Sequence, residues 1–374
     1  MTGLAPVELA TGIVFGLVAE PVPLPAGAVP AAALEAAVLG AVRGDGPCCV
    51  SFSGGRDSSA VLAAATRVAR REGRPDPVPL TLRAAHEPHS HESEWQELVV
   101  AHLGLDDWMR IEITDELDAV GPYARRVLER HGLLWPFNAH FHLPLLEHAV
   151  GGTLLTGIGG DELWSSSRAP VVRRRRRALA YAPFALRRAV LARREPIDYP
   201  WLRPEGVAAA RRAAGGERAG EPLTVARRMA WYRGMRATAT GTAALDRIAE
   251  DVGARIAHPL LDRALWGAVA TAAPRAGFAR RDESLRLVAG ELLPEDVLTR
   301  KTKAGFDRVF FGRHARAFVA RWSGAGIAET MVDVAALRQH WAGEVPDPHS
   351  LTLLQAAWLA SAGDRVEEPL SRGR

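Results

Sequence analysis

The string Ser51-Phe52-Ser53-Gly54-Gly55-Arg56-Asp57-Ser58-Ser59 places two glycines, four hydroxyls and one carboxylate in nine consecutive positions. Glycines let a backbone approach an anion closely, and a helix starting just after them offers unpaired N–H groups and a partial positive charge. Ser53, Ser58 and Ser59 add hydroxyl donors, so the string fits phosphate. It is not a Walker A loop, because Arg56-Asp57 stands where that motif needs a lysine. A carboxylate aimed at phosphate is repelled unless a divalent cation lies between them, so Asp57 implies Mg²⁺ shared by carboxylate and phosphate oxygens. A plain Gly-Gly turn with a Ser or Asp helix cap accounts for one of these residues and not for the string.

A second acidic string, Thr156-Gly157-Ile158-Gly159-Gly160-Asp161-Glu162-Leu163, follows later in the chain. Here Asp161 can complete the Mg²⁺ shell with Asp57, and Glu162 can hold a substrate amine or open a helix. Alone, such a string is more often an ordinary turn than a site. Paired with the first, it aims two carboxylates at one crevice.

The elements between the strings say how they are held. A β-rich run Cys48 to Phe52, a helix from about Ser58 to Glu72 and a second run Val78 to Leu82 make one βαβ unit. A helix follows from Glu94, with Ser93 and Gln96 spaced as a capping box. Met109 to Ile113 reads as a third strand, helices are expected over Leu117 to His131 and Ala139 to Val150, and Thr153 to Thr156 as a fourth strand. This alternation predicts an α/β fold: an open parallel sheet with helices on both faces, both strings lying at its carboxyl edge, where such sheets bind ligands. Beyond Trp164 the β signals fade, and helices are expected at Leu223 to Thr240, Leu261 to Ala272, Glu283 to Leu292 and Leu351 to Ala362. The expected organisation is a lead-in over residues 1–45 with extended segments and turns up to Pro30 and a helix from about Ala31, a phosphate-binding α/β core over 46–170, and a mostly helical half over 171–374 that completes the site.

Ser53-Gly54-Gly55-Arg56-Asp57-Ser58 resembles the signature of the ATP pyrophosphatase, or PP-loop, superfamily, and the pair of strings resembles the synthetase domain of the asparagine synthase family. Ala257-His258-Pro259-Leu260-Leu261-Asp262 is similar to that family's Pro-Phe-Leu-Asp segment, and Leu293-Pro294-Glu295 through Arg300, Lys303, Gly305 and Phe306 to its basic stretch. The resemblance implies an adenine nucleotide alpha hydrolase-like sheet and ATP with Mg²⁺ as cofactors. It also implies an AMP-forming ligase that adenylates a carboxylate and transfers the acyl group to ammonia or an amine. Ser51, Ser53, Gly54, Gly55, Asp57, Ser58, Ser59, Leu82, Gly157 and Gly159 would contact the nucleotide, Asp57 and Asp161 the metal, while Lys303, Glu162 and Arg300 would act in catalysis. Of 47 Lys plus Arg residues only Lys301 and Lys303 are lysine, so a compact ammonium is wanted there independently of the resemblance.

The chain departs from the family in two ways. Glutamine-dependent members carry a glutaminase domain with cysteine as residue 2, and Thr2 stands here, so ammonia, a substrate amine or a separate glutaminase is expected to supply the nitrogen. Arg56 replaces the aliphatic residue usual between Gly-Gly and Asp-Ser. An amide ligase of specialised metabolism is the first expectation, and a lasso-type peptide macrolactam cyclase, with a peptide-binding partner, the second. Lactam formation, as in beta-lactam synthetases, uses the same architecture.

Composition narrows the classes. Hydrophobic residues make up 48% of 374, enough for a large core. The pI near 9.5 reflects arginine, which does not deprotonate, more than a net charge of +4. The run Arg173 to Arg177 reads as a solvated surface more readily than as a nucleic-acid or membrane contact. A tRNA-modifying PP-loop enzyme would want a catalytic cysteine pair, and Cys48 and Cys49 fall in the first strand, where they read as buried apolar residues. A non-catalytic subunit is disfavoured by the retention of Asp57, Asp161, Glu162 and Lys303. No export signal or membrane span is read, so a cytoplasmic location is expected. His86, His89 and His91 lack a second ligand pair for zinc and suit contact with nucleotide or a plain turn. His140 and His142 read as structural, and Trp135-Pro136-Phe137-Asn138 as core packing.

Overall fold

The computed structural model describes residues 3–85, 93–167, 179, 182–300 and 307–366. Its centre is a five-stranded, all-parallel sheet built from β1 (Cys48–Ser51), β2 (Val78–Ala84), β3 (Met109–Ile113), β4 (Thr153–Leu155) and β5 (Arg255–Ala257) in the order β3-β2-β1-β4-β5. The chain runs outward from β1 to β2 and β3 on one side, then crosses to β4 and β5 on the other. The crevice between the carboxyl ends of β1 and β4 is therefore the topological switch point, where open α/β sheets bind ligands.

Strand periodicity sorts the two faces. Cys49 and Leu154 point into a cluster with Leu80, Leu146, Leu245 and Ile248. Their neighbours Val50 and Leu155 point the other way, among Leu34, Leu62, Trp266 and Leu285, as a side-chain period of two requires. Helices Pro30–Arg43 and Arg56–Arg71 cover the second face, and Arg236–Val252 and Leu143–Glu147 the first. A further core of Trp201, Phe318, Trp322, Trp341 and Leu354 belongs to the helical half, which follows the expectation from its sequence.

Four local expectations change. β5 escapes a sequence reading because it is three residues long with only one β-branched member, and its partner β4 supplies the pairing. The first thirty residues include a helix, Pro6–Thr11: proline opens it and Glu8 accepts from the Ala5 N–H at 2.8 Å, a start signal overlooked among apolar residues. The helix expected over Leu223 to Thr240 is two, Val225–Arg233 and Arg236–Val252. The N-terminal segment parts them, because Val18 donates to the Gly234 carbonyl and Arg236 donates its backbone N–H to the Gly16 carbonyl, both at 2.9 Å. Ala139 to Val150 similarly breaks into a 3₁₀ turn, Ala139–His142, and the short helix Leu143–Glu147, with Pro144 in its first turn.

Candidate functional site

The first string becomes the turn from β1 into the helix Arg56–Arg71. Gly55 is the helix N-cap and gives no side-chain cap, leaving the first-turn N–H groups to an outside acceptor. Ser53 and Ser58 hydroxyls lie 3.2 Å apart, the Gly55 N–H donates to Ser53 Oγ at 3.2 Å, and Ser58 Oγ donates to the Gly55 carbonyl at 3.1 Å. The loop is braced from outside by two residues. Gln96 Nε2 donates to the Ser53 carbonyl at 3.0 Å, and Arg300 Nη1 to the Gly54 carbonyl at 2.5 Å while stacking over Trp95. Gln96 thus braces the first loop, a contact that the capping-box spacing concealed.

The second string runs from β4 into the helix Gly160–Ser166 and packs directly on the first. A Cβ at Gly160 would lie 2.4 Å from Asp57 Cγ, and one at Gly157 2.8 Å from the Ser58 nitrogen; only glycine permits this approach. The result is that Asp57 and Asp161 meet at one position. Arg281, the first residue of the helix Arg281–Ala289, lies between them: Nη1 donates to Asp161 Oδ1 at 2.5 Å, and Nη2 to Asp57 Oδ2 at 3.0 Å and Oδ1 at 3.2 Å. Trp164 Nε1 also donates to Asp57 Oδ1, at 2.7 Å.

Electrostatically the two loops bring carboxylates and guanidinium groups close together. Burial, opposed by Arg281 and Trp164 but reinforced by the Asp161 charge, raises the Asp57 pKa above the usual range. Burial, with the charges of Asp161 and Asp57, raises Glu162 as well. Burial and the nearby Arg281 and Arg300 lower the Arg56 pKa, which places three guanidinium groups around the loop. Hard carboxylate oxygens from two loops beside a phosphate cradle suit Mg²⁺. Among the described residues no cluster of three or more potential metal-ligating side chains occurs, so Mg²⁺ held here would draw the rest of its shell from phosphate oxygens and water.

Of the residues singled out from sequence, Ser51, Ser53, Gly54, Gly55, Asp57, Ser58, Ser59, Gly157, Gly159, Asp161, Glu162 and Arg300 lie on the two loops or against them. Leu82 is half-buried at the end of β2, packed against the apolar clusters on that side. Lys303, with Lys301, falls outside the described residues, as do His86, His89, His91 and the run Arg173 to Arg177. Cys49 is buried and Cys48 half-buried, and desolvation, with the neighbouring Cys49 for Cys48, pushes their thiols up to about 12 for Cys48 and about 11 for Cys49. His140 is structural, its ring nitrogens 3.1 and 3.0 Å from the Phe137 and Leu117 carbonyls. Missed in the sequence was Arg281, which no motif marks; His258, read there only as part of the Pro-Phe-Leu-Asp-like segment, shares through its Nδ1 a 2.7 Å hydrogen bond with Thr156 Oγ1.

A family model described as Asparagine synthase matches residues 31–360. The chain belongs to the asparagine synthase family. Membership makes it an ATP-dependent ligase of the asparagine synthase type, and the matched span takes in both loops, β5 and the arginines that reach the crevice. Comparison with curated proteins returns no match. Among the described residues no helix is long and apolar enough to cross a membrane.

Proposed function

We propose that the protein adenylates a carboxylate and passes the acyl group to a nitrogen nucleophile. The observation that carries this reading is the convergence of Asp57 and Asp161 on one point, the Arg281 guanidinium, beside the Gly54-Gly55 loop. A carboxylate oxygen bonds to the α-phosphorus of ATP as the α–β bridging bond breaks and pyrophosphate leaves. The nitrogen then attacks the acyl carbon, AMP departs with the electron pair of the broken C–O bond, the nitrogen gives up a proton to water, and an amide remains. In this scheme the N–H groups of Arg56 to Ser58 and the serine hydroxyls orient the phosphates. Asp57 and Asp161 would hold Mg²⁺, which would supply positive charge to the phosphate oxygens. Arg56, Arg281 and Arg300 add a fixed positive field, and Lys303 is assigned the charge developing on the acyl oxygen. The acyl substrate is a small-molecule or peptide carboxylate, and the nitrogen comes from ammonia, a substrate amine or a partner glutaminase.

Carboxylate-dependent exchange of labelled pyrophosphate into ATP, across a panel of acids, tests the reading. Exchange with the cognate acid is expected, and its loss in Asp57→Ala and Asp161→Ala. ADP as product, or exchange indifferent to both substitutions, overturns the proposal.

A further inference from the structure

The guanidinium of Arg281 occupies the point on which the two acidic loops converge. Both oxygens of Asp57 and one oxygen of Asp161 receive its protons. Its Nε is buried without a hydrogen-bond partner, so the fork is committed to these carboxylates. Its own helix does not supply a competing acid: Asp282 beside it is taken by Arg280 at 2.9 and 2.7 Å. Like charges cannot share such a space. A divalent cation seated on Asp57 and Asp161 would need the same lone pairs and would meet a guanidinium within a few ångströms.

We infer that Arg281 and the divalent cation compete for Asp57 and Asp161, so that Arg281 is a positioning residue which must leave the carboxylates before they can hold the metal. This rests on the assignment of those two residues as the carboxylates that face Mg²⁺. The planar fork keeps the loops in register while it is paired, as only arginine can do from one side chain. Bare metal ions pay for displacing it and gain only two carboxylates. A metal arriving with phosphate brings oxygens for its own shell and an anion for the displaced guanidinium, which stays tethered at the same helix start. The consequence is an enzyme that discriminates against free metal in favour of metal bound to nucleotide.

The test uses Mn²⁺ alone, counted by the electron paramagnetic resonance of the free ion, with the full chain and no nucleotide. Arg281→Gln is expected to bind Mn²⁺ at least about tenfold more tightly than the unaltered protein, since a neutral side chain no longer sets a positive charge against the ion at the two carboxylates. A merely structural arginine predicts the opposite sign, so unchanged or weaker binding overturns the inference. Should Arg281→Gln fold poorly, Arg281→Lys keeps the charge without the fork and is expected to raise Mn²⁺ affinity by a smaller factor; no rise there overturns it equally. Adding Asp57→Asn to Arg281→Gln separates the two readings. Loss of the gained Mn²⁺ binding supports both, whereas its persistence means that the metal is not on Asp57 and removes the site assignment together with the inference.

Discussion

Two arginine–carboxylate contacts tie distant parts of this chain together, and they are built to different ends. Glu8 and Arg236 are 228 residues apart, Asp57 and Arg281 are 224. Glu8 is buried, yet its pKa is lowered: burial works against the charge but is outweighed by Arg236 and by the Ala5 and Phe15 N–H groups, 2.8 and 3.1 Å from its oxygens. Asp57 also has an arginine and an N–H donor, and its pKa is raised, because burial and the neighbouring Asp161 exceed what Arg281 and Trp164 return. One carboxylate is fully compensated by its surroundings. The other shares the Arg281 guanidinium with a second carboxylate and keeps a raised pKa, which is the condition of a site rather than of a strut.

The sharpest break of this contrast is a pair of substitutions. Asp57→Asn is expected to lower pyrophosphate exchange by roughly 10²-fold or more, while the denaturation midpoint stays close to that of the unaltered protein, since it removes a charge the fold holds at a cost. Glu8→Ala should do the reverse, destabilising the fold by about 3–5 kcal/mol because Arg236 is left half-buried and uncompensated, with the activity of the folded fraction kept. Denaturant titration and exchange assays on both variants check this. Equal stability losses in the two would erase the distinction.

The pH dependence sharpens the same contrast. The depressed pKa of Glu8 gives stability that is present above its ordinary value of 4.5 and lost as pH falls through the folded value. The raised pKa of Asp57 has the opposite sign: its charge costs stability above the folded pKa, and protonation relieves that cost before the unfolded value of 3.8 is reached. Stability curves below pH 5 should therefore flatten in Glu8→Gln and steepen in Asp57→Asn. A separate loss precedes both. Burial pulls His140, His142 and His258 from 6.5 down to about 4, so each contributes stability that is full above about pH 6.5 and falls away toward pH 4, on the order of 3 kcal/mol for the fully enclosed His140. Stability that is level between pH 6.5 and 5 would contradict those burials.

How far the sequence revealed the molecule follows from the range over which each signal acts. The two loops were legible because their chemistry is local: Gly54, Gly55, Asp57 and Ser58 are neighbours in the chain, as are Gly157, Gly160 and Asp161, and the alternation of strand and helix around them put both at one edge. Arg281 was not legible. It is one of many arginines, opens a helix with no glycine or hydroxyl signature, and gains its role only when that helix packs against the Arg56–Arg71 and Gly160–Ser166 helices. Gln96 misled for a related reason, since its spacing from Ser93 fits a cap while its amide reaches the Ser53 carbonyl from a neighbouring element. The fourth strand was seen through its glycine-ended apolar run. β5 was not, because pairing with β4, rather than its own residues, makes it a strand.

The smallest effect tests the compensation around Asp57 most directly. Trp164 is fully buried and its indole N–H donates to Asp57 Oδ1 at 2.7 Å, so it orients the carboxylate and lowers its pKa. Trp164→Phe keeps most of the buried apolar surface and removes that single donor. Asp57 should then be harder to ionise and freer to rotate, and Mn²⁺ affinity in the presence of pyrophosphate should fall by about tenfold, at the lower end of what losing a ligand's supporting hydrogen bond costs a metal site. The direction matters more than the size. Trp164→Phe and Arg281→Gln each delete one donor to the same carboxylate, yet the first should weaken metal binding and the second should tighten it, because the indole supports the ligand in any state whereas the guanidinium stands where the metal must go. If both substitutions move Mn²⁺ affinity in the same direction, Asp57 is held in the manner of Glu8, and the difference between the two contacts disappears.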